Sequence, residues 1–421
     1  MVRYWAAWAA MLCVAAWPPG ASARDSAPLT LEQAFTLTLE RHPALERLPL
    51  ARVARTAARD EAAQKPPLTA GATLENVLGS GDTAGFGAAE LSLSLSSVIE
   101  RGDKREARVA VAQGRLDALA NETRATRLDL LAEVARRYLD ALAIQAAEAA
   151  ATDLVDQRTR TAAAAARRVS AGASPRPVQL AAEAALARAT LERELLQTQG
   201  AAARRRLAAT WGERDPGFER LAGDLLALPA VPAFEALTAL LDRSPELRRF
   251  ADERRLREAR LQLARSAGSA DLAWDVGVRR LQATGDTALI AGLSLPLGSR
   301  TRARPGIVAA EAELADLELE RESEAIGLYA TLAEAHGRLL ADRQAVSRAD
   351  TDVLPRLVRA EEEAGRSYRA GALSYLEWAQ LQADLLAARR DQITAARDFH
   401  RALIEIQRLT GDAFAADEET P

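Results

Sequence analysis

The sequence predicts a membrane α/β protein made by internal duplication, in which each half supplies two strands and a long helical hairpin. Three observations predict it. Short stretches recur in the same order about 200 residues apart. Runs of helix-forming residues are much longer than a globular helix, which ends within roughly 8 to 20 residues. Four stretches of roughly 9 to 11 residues alternate apolar and polar side chains.

The repeat sets the organisation. His42-Pro43-Ala44-Leu45 returns as Ser244-Pro245-Glu246-Leu247, Gly81-Asp82-Thr83 as Gly285-Asp286-Thr287, and Leu91-Ser92-Leu93-Ser94-Leu95 as Leu293-Ser294-Leu295-Pro296-Leu297. Further on, Ala171-Gly172-Ala173 returns as Ala370-Gly371-Ala372, and Trp211-Gly212 as Thr410-Gly411. The expected units are a first repeat over 29–212, a linker over 213–232 rich in Pro and Gly, a second repeat over 233–411 and a disordered acidic tail over 412–421. Each repeat reads as a short helix, a Pro-started helix, two strands, a long helix, the Ala-Gly-Ala tip and a last helix. The long helices are expected over 102–170 and 304–369, the latter a rod of roughly 100 Å. Leu116, Leu119, Leu130, Val134 and Tyr138 mark a packing seam, with Ala between them for close approach.

Composition agrees. Of 421 residues 48% are hydrophobic but only 4% aromatic, so the apolar content is mostly Ala and Leu, which suits thin, closely spaced helices. A net charge of −4 gives no footprint for nucleic-acid binding. Residues 1–23 read as a secretory signal peptide: Arg3, an apolar run from Tyr4 to Trp17, then Ala21-Ser22-Ala23 as the cleavage site. That segment holds Cys13, Met1 and Met11, the chain's only sulfur-containing residues, so the mature chain is expected to have no disulfide, thiol nucleophile or thioether ligand, and no lipid anchor.

The strands are expected over 68–78, 88–98, 271–280 and 288–297. Alternation of this kind usually marks a half-buried strand of a soluble sheet. These strands nevertheless have the length that crosses an outer membrane when tilted, and their other face is small or polar, as a lumen requires. Leu91, Leu93, Leu95, Trp274, Leu293 and Leu295 are the expected lipid-facing residues. A sheet in lipid must close, and four strands are too few, so several chains must each contribute four.

Secretory signal, duplicated halves, paired strands, long helices and two Gly-containing tips together resemble the TolC family of outer-membrane efflux proteins. The local matches are Leu29-Thr30-Leu31-Glu32-Gln33-Ala34 running to His42-Pro43, Leu295-Pro296-Leu297, and Tyr368-Arg369-Ala370-Gly371-Ala372-Leu373-Ser374-Tyr375-Leu376-Glu377. The short length and the ending after the second repeat most resemble the CzcC-type branch that serves cation efflux pumps. The resemblance implies a homotrimer with a 12-stranded β-barrel in the outer membrane, continued through the periplasm by an α-helical coiled-coil barrel. It also implies a periplasmic adaptor and an inner-membrane RND-type pump as partners, and heavy-metal cations as cargo, with drug efflux or secretion as the alternative. A soluble periplasmic coiled-coil scaffold is the alternative from another class.

The resemblance further implies that the tips contact the adaptor and close the channel. By position these are Ala171, Gly172, Ala173 and Ser174 in the first half, and Ala370, Gly371, Ala372 and Ser374 in the second. Tyr368 and Glu377 stand at the gate positions. The chain departs from the family pattern at Leu373, where a basic residue is expected, at Gln380, where a second acid is expected, and near Val178, where an acid is often found. Catalytic motifs and cofactor motifs are not found: His42, His336 and His400 are far apart, with no metalloprotease, nucleophile-elbow or phosphate-loop pattern. No metal site is expected, so a cation cargo is expected to pass without tight binding.

Overall fold

The computed structural model describes residues 27–411, and the signal peptide and acidic tail expected at the two ends lie outside them. The element order is α1 (Leu31–Arg41), α2 (Pro43–Ala62), β1 (Thr69–Glu75), β2 (Glu90–Ile99), α3 (Lys104–Asp117), α4 (Leu119–Ser170) and α5 (Arg176–Ala208), followed by α6 (Phe234–Leu241), α7 (Pro245–Ser266), β3 (Leu272–Leu281), β4 (Thr287–Ser294), α8 (Ser299–Arg348), α9 (Leu354–Ala370) and α10 (Tyr375–Thr410).

The four strands form one antiparallel sheet in the order β1-β2-β3-β4, so β1 and β4 are both open edges. The helices keep the same order: α2 and α5 lie along α3 and α4, these pack on α7 and α10, and α7 and α10 lie along α8 and α9. Each strand therefore continues a helical rod.

Local chemistry explains the element starts. Thr30 and Gln33 form a capping box on α1, with the Gln33 amide donating to Thr30 Oγ1 (3.2 Å) and the Thr30 amide to Gln33 Oε1 (3.0 Å). The recurring X-Pro pair is a helix start in both halves. His42 Nδ1 accepts from the Ala44 amide (3.1 Å) and Ser244 Oγ from the Leu247 amide (3.2 Å), each with Pro at the first helical position.

Several boundaries differ from expectation. The second long helix is not continuous: a π-helical turn over Ala349–Val353 separates α8 from α9. Pro355 stands just past it, and its missing N–H and its ring are accommodated by the widened turn. In the first long helix, the single residue Ala118 interrupts the helix between α3 and α4. β1 stops at Glu75 because Asn76 and Leu78 take left-handed backbone, with φ of 56° and 54°. β4 stops at Ser294, which puts Leu295 one residue outside the strand; Pro296 has no N–H to give the ladder.

Register sorts the sheet into two faces. Leu93 lies opposite Ala72 and Val278, and Trp274 opposite Ser97 and Leu293, so Leu91, Leu93, Leu95, Trp274 and Leu293 share one face. That face is open: Leu293 is 76% exposed and Leu289 88%. The opposite face carries Gly71, Ser94 and Gly277 in one cross-strand row. A Cβ at Gly277 would lie 2.6 Å from the Leu93 carbonyl oxygen, so only glycine fits there. Toward the β1–β2 loop the same face holds an ionic cluster in which Arg279 donates to Ser92 Oγ (3.0 Å), Glu90 (3.0 Å) and Glu75 (3.4 Å).

Two apolar cores run along the helices. One joins α1, α4 and the end of α5 with Phe218, Leu221 and Leu225 of the 213–232 segment. That segment crosses the rods and is tied down by Tyr138, whose hydroxyl lies between the carbonyls of Ala222 (2.5 Å) and Leu29 (2.8 Å), and by Gln145, which brackets the Leu221 backbone. Burial pushes the Tyr138 phenol up to about 12. The other core joins α6, α7, α8 and α10 around Leu332, Leu339 and Phe399.

Candidate functional site

The two Ala-Gly-Ala tips lie side by side at the end of the helical layer. At each, glycine takes left-handed backbone, with φ of 71° at Gly172 and 82° at Gly371. The hydrogen bonds match. Gly172 and Ala173 donate to the carbonyls of Val169 (3.0 Å) and Arg168 (2.8 Å), and Gly371 and Ala372 to those of Tyr368 (3.1 Å) and Ser367 (2.9 Å). This double closure satisfies carbonyls that a helix end otherwise leaves free.

Arg168 joins the tips. Its guanidinium donates to Ser174 Oγ (3.1 Å), to the Ala173 carbonyl (3.2 Å) and to the Tyr368 carbonyl, and lies 5.0 Å from the centroid of the Tyr368 ring. Tyr368 itself is only 2% exposed, packed 5.1 Å from Trp378 and 6.4 Å from Tyr375 between ring centroids. Its side chain is thus held within the tip rather than projecting from it, and its hydroxyl has no partner among the described residues.

Glu377 is exposed and takes part in a capping box. Ser374 Oγ accepts from the Glu377 amide (3.3 Å), while Glu377 Oε2 accepts from the Ser374 hydroxyl (2.7 Å) and amide (2.9 Å). The Ser374 hydroxyl, then its amide, hold the carboxyl below its usual range. The positions where family charges were expected are apolar contacts: Leu373 packs on the Tyr368–Trp378 cluster, and Val178 packs with Ala165, Ala182 and Tyr375. Gln380 spends its amide on Asp384 (2.8 Å).

Behind the tips runs a buried polar chain. Arg158 donates to Gln382 Oε1 (2.7 Å), and Gln382 Nε2 donates to Thr161 Oγ1 (3.0 Å) and Glu361 (2.9 Å), which also accepts from Trp378 Nε1 (3.0 Å). Desolvation holds the Arg158 guanidinium below its usual range. Arg158, Arg168, Gln382 and Glu361 gave no signal in the sequence. Trp378 was findable as a rare aromatic four residues after the cap Ser374.

A cavity of about 1140 Å³ lies between α4, α7 and α8. Its walls carry eight carboxylates, among them Glu122, Asp129, Glu246 and Glu320, against Arg249 and Arg408. Among the described residues no group of three or more His, Cys, Asp or Glu is placed to hold a metal ion. The three histidines serve the backbone: His42 caps α2, and His336 and His400 donate to the carbonyls of Pro232 (3.1 Å) and Leu225 (3.0 Å).

An open-edged sheet with one apolar and one polar face, continued by a layer of helical hairpins, is a fold shared with solved outer-membrane proteins. The solved structure of CusC, described as forming a transmembrane channel, superposes with a TM-score of 0.76 at 16% identity, over 91% of this chain and 92% of that one. The outer membrane protein VceC from Vibrio cholerae gives 0.73 at 17%, over 91% and 97%. The family model "Outer membrane efflux protein" matches residues 35–213. The cobalt-zinc-cadmium resistance protein CzcC of Cupriavidus metallidurans is 30% identical over 314 residues, 74% of this chain and 75% of that protein. The chain belongs to the outer membrane efflux protein family.

Proposed function

We propose that this chain is one of three that form a passive exit duct, with a 12-stranded barrel in the outer membrane and the helical layers closing into a periplasmic tube. The observation that carries this reading is the sheet: both edges are open and one face is a continuous exposed apolar surface. In lipid the edges must be covered, and the β4 edge of one copy pairing with the β1 edge of the next covers both. The helical layer repeats the pattern. Leu180, Leu191 and Leu195 are exposed on α5, at one side of the layer, and Leu319, Ile326 and Leu340 on α8, at the other. Two unlike apolar edges suit a closed head-to-tail ring.

The tips are the proposed contact for a periplasmic adaptor, with an inner-membrane RND-type pump as the further partner of the assembly, and together with Tyr368 and Glu377 behind them they are the proposed gate. Heavy-metal cations are the proposed cargo, supported by the similarity to CzcC and by the acidic cavity between α4, α7 and α8, whose dispersed carboxylates attract cations without chelating them. The test is outer-membrane fractionation together with heat-sensitive trimers on gels. Leu93→Arg, with Arg costing about 2–4 kcal/mol at the bilayer midplane, should abolish both. A wild type recovered as a soluble periplasmic monomer would sink the reading, and unchanged cobalt, zinc and cadmium sensitivity of a deletion strain would remove the proposed cargo.

A further inference from the structure

The junction of sheet and helices holds a cleft of about 600 Å³ that the duct does not need. One wall is apolar and continues the exposed face of the sheet: Leu68, Ile99 and the indole of Trp274. The other is charged, and it holds both lysines of the chain, Lys65 and Lys104, whose other basic residues are all Arg.

Most of these charges are spoken for. Lys104 pairs with Asp271 (2.7 Å), Arg105 with Glu106 (2.7 Å) and Glu100 with Arg108. Two lining charges are left over, Lys65 and Asp103. Both are exposed, and neither side chain has an ion pair or hydrogen bond among the described residues. Asp103 even stands at the start of α3 without capping it. The cleft therefore offers one free ammonium, one free carboxylate and an apolar wall with an aromatic ring at the border. A ligand that matches all three has an anion and a cation on one small headgroup, attached to hydrocarbon.

We propose that this cleft seats the headgroup of a zwitterionic phospholipid, a phosphatidylethanolamine of the periplasmic leaflet, with its phosphate at Lys65, its amine toward Asp103 and its acyl chains along Leu68, Ile99 and Trp274. A lysine suits the phosphate as a point charge on a flexible stem, and a tryptophan suits the boundary between headgroup and hydrocarbon. The proposal rests on the sheet lying in the outer membrane, and it fixes where the periplasmic surface of that membrane meets the chain.

The test uses full-length protein purified in mild detergent, incubated with phosphatidylethanolamine or phosphatidylglycerol and read by native mass spectrometry. The wild type should retain phosphatidylethanolamine in preference to phosphatidylglycerol. Lys65→Gln should lower retention of both by about fivefold, the effect of one basic residue at a phosphate surface. Asp103→Asn, tolerated in left-handed backbone, should keep phosphatidylglycerol binding and lose the preference. Free phosphoethanolamine at the lipid's concentration should displace nothing, because the acyl chains supply most of the binding. Undiminished retention by Lys65→Gln, equal retention of the two lipids by the wild type, or displacement by the free headgroup would overturn the site. Fractionation of the same proteins separates the two failures: wild type in the outer membrane with an overturned site leaves the duct standing, whereas wild type in the soluble fraction removes both.

Discussion

The two tips share one backbone solution and differ in what holds it. Both end a helix with glycine in left-handed backbone and the same pair of closing hydrogen bonds. The second is then fastened locally: Ser374 and Glu377 cap α10 reciprocally, and Tyr368, Tyr375 and Trp378 pack into one cluster. The first has no such devices. Pro175 stands at the start of α5 with no side-chain cap, and the turn is held by Arg168, which reaches across to the carbonyl of Tyr368. Arg168 also bonds Ser174 and Ala173 within the first tip, but the carbonyl and ring it rests on belong to the second, so a push on the second should be felt at the first, and the reverse should not hold.

The largest expected effect follows from Trp378→Ala. Trp378 is buried between Gly365 and Tyr368 and donates to Glu361, and loss of a packed Trp costs about 3–5 kcal/mol. Amide exchange should rise at both tips, since the Tyr368 platform under Arg168 loosens with the cluster. A rise confined to 371–378 would show that the first tip stands alone.

Arg168→Met is the reverse push. It keeps the apolar stem and removes hydrogen bonds from a charged donor to Ser174, Ala173 and Tyr368, a loss of about 1–3 kcal/mol. Faster exchange and a new protease cut are expected within 171–176, with 371–376 unchanged. Equal loosening of the two would make the support mutual and break the asymmetry.

These contacts also show how far the sequence could be read. The strands and rods were legible because their signals are periodic and local, and the tip turns because glycine at a helix end has few other uses. The π-helical turn before Pro355 was not, because a proline in the first turn of a helix and one that widens the preceding turn look alike in sequence. The fastening of the tips was hidden for a different reason. Arg168 meets Tyr368 200 residues away, and Gln382 meets Thr161 and Arg158 across 221 and 224, so these pairs exist only once the two halves have packed. Leu373 and Val178, which the family pattern made look like missing charges, are apolar because the first covers part of the aromatic cluster and the second packs on Ala162, Ala165 and Ala182.

The smallest effect is the most specific to the second tip, because only that tip has a titratable cap. The Glu377 carboxyl accepts from the Ser374 hydroxyl and amide, which hold it below its ordinary value of 4.5. A depressed carboxyl stabilises the folded tip above the unfolded range and loses that contribution as pH falls through the folded value. Protection of the amides of Leu376, Glu377 and Trp378, corrected for intrinsic exchange, should therefore hold down to about pH 5 and fall as the pH drops below 4.5 and through the lowered folded value, while that of Val178, Gln179 and Leu180 at the uncapped first tip should not. Ser374→Ala should cost about 1 kcal/mol at neutral pH and flatten the dependence, because the box is then already broken. If the variant keeps the full acid-dependent loss, another group is its source, and the difference between the tips lies in the aromatic cluster alone.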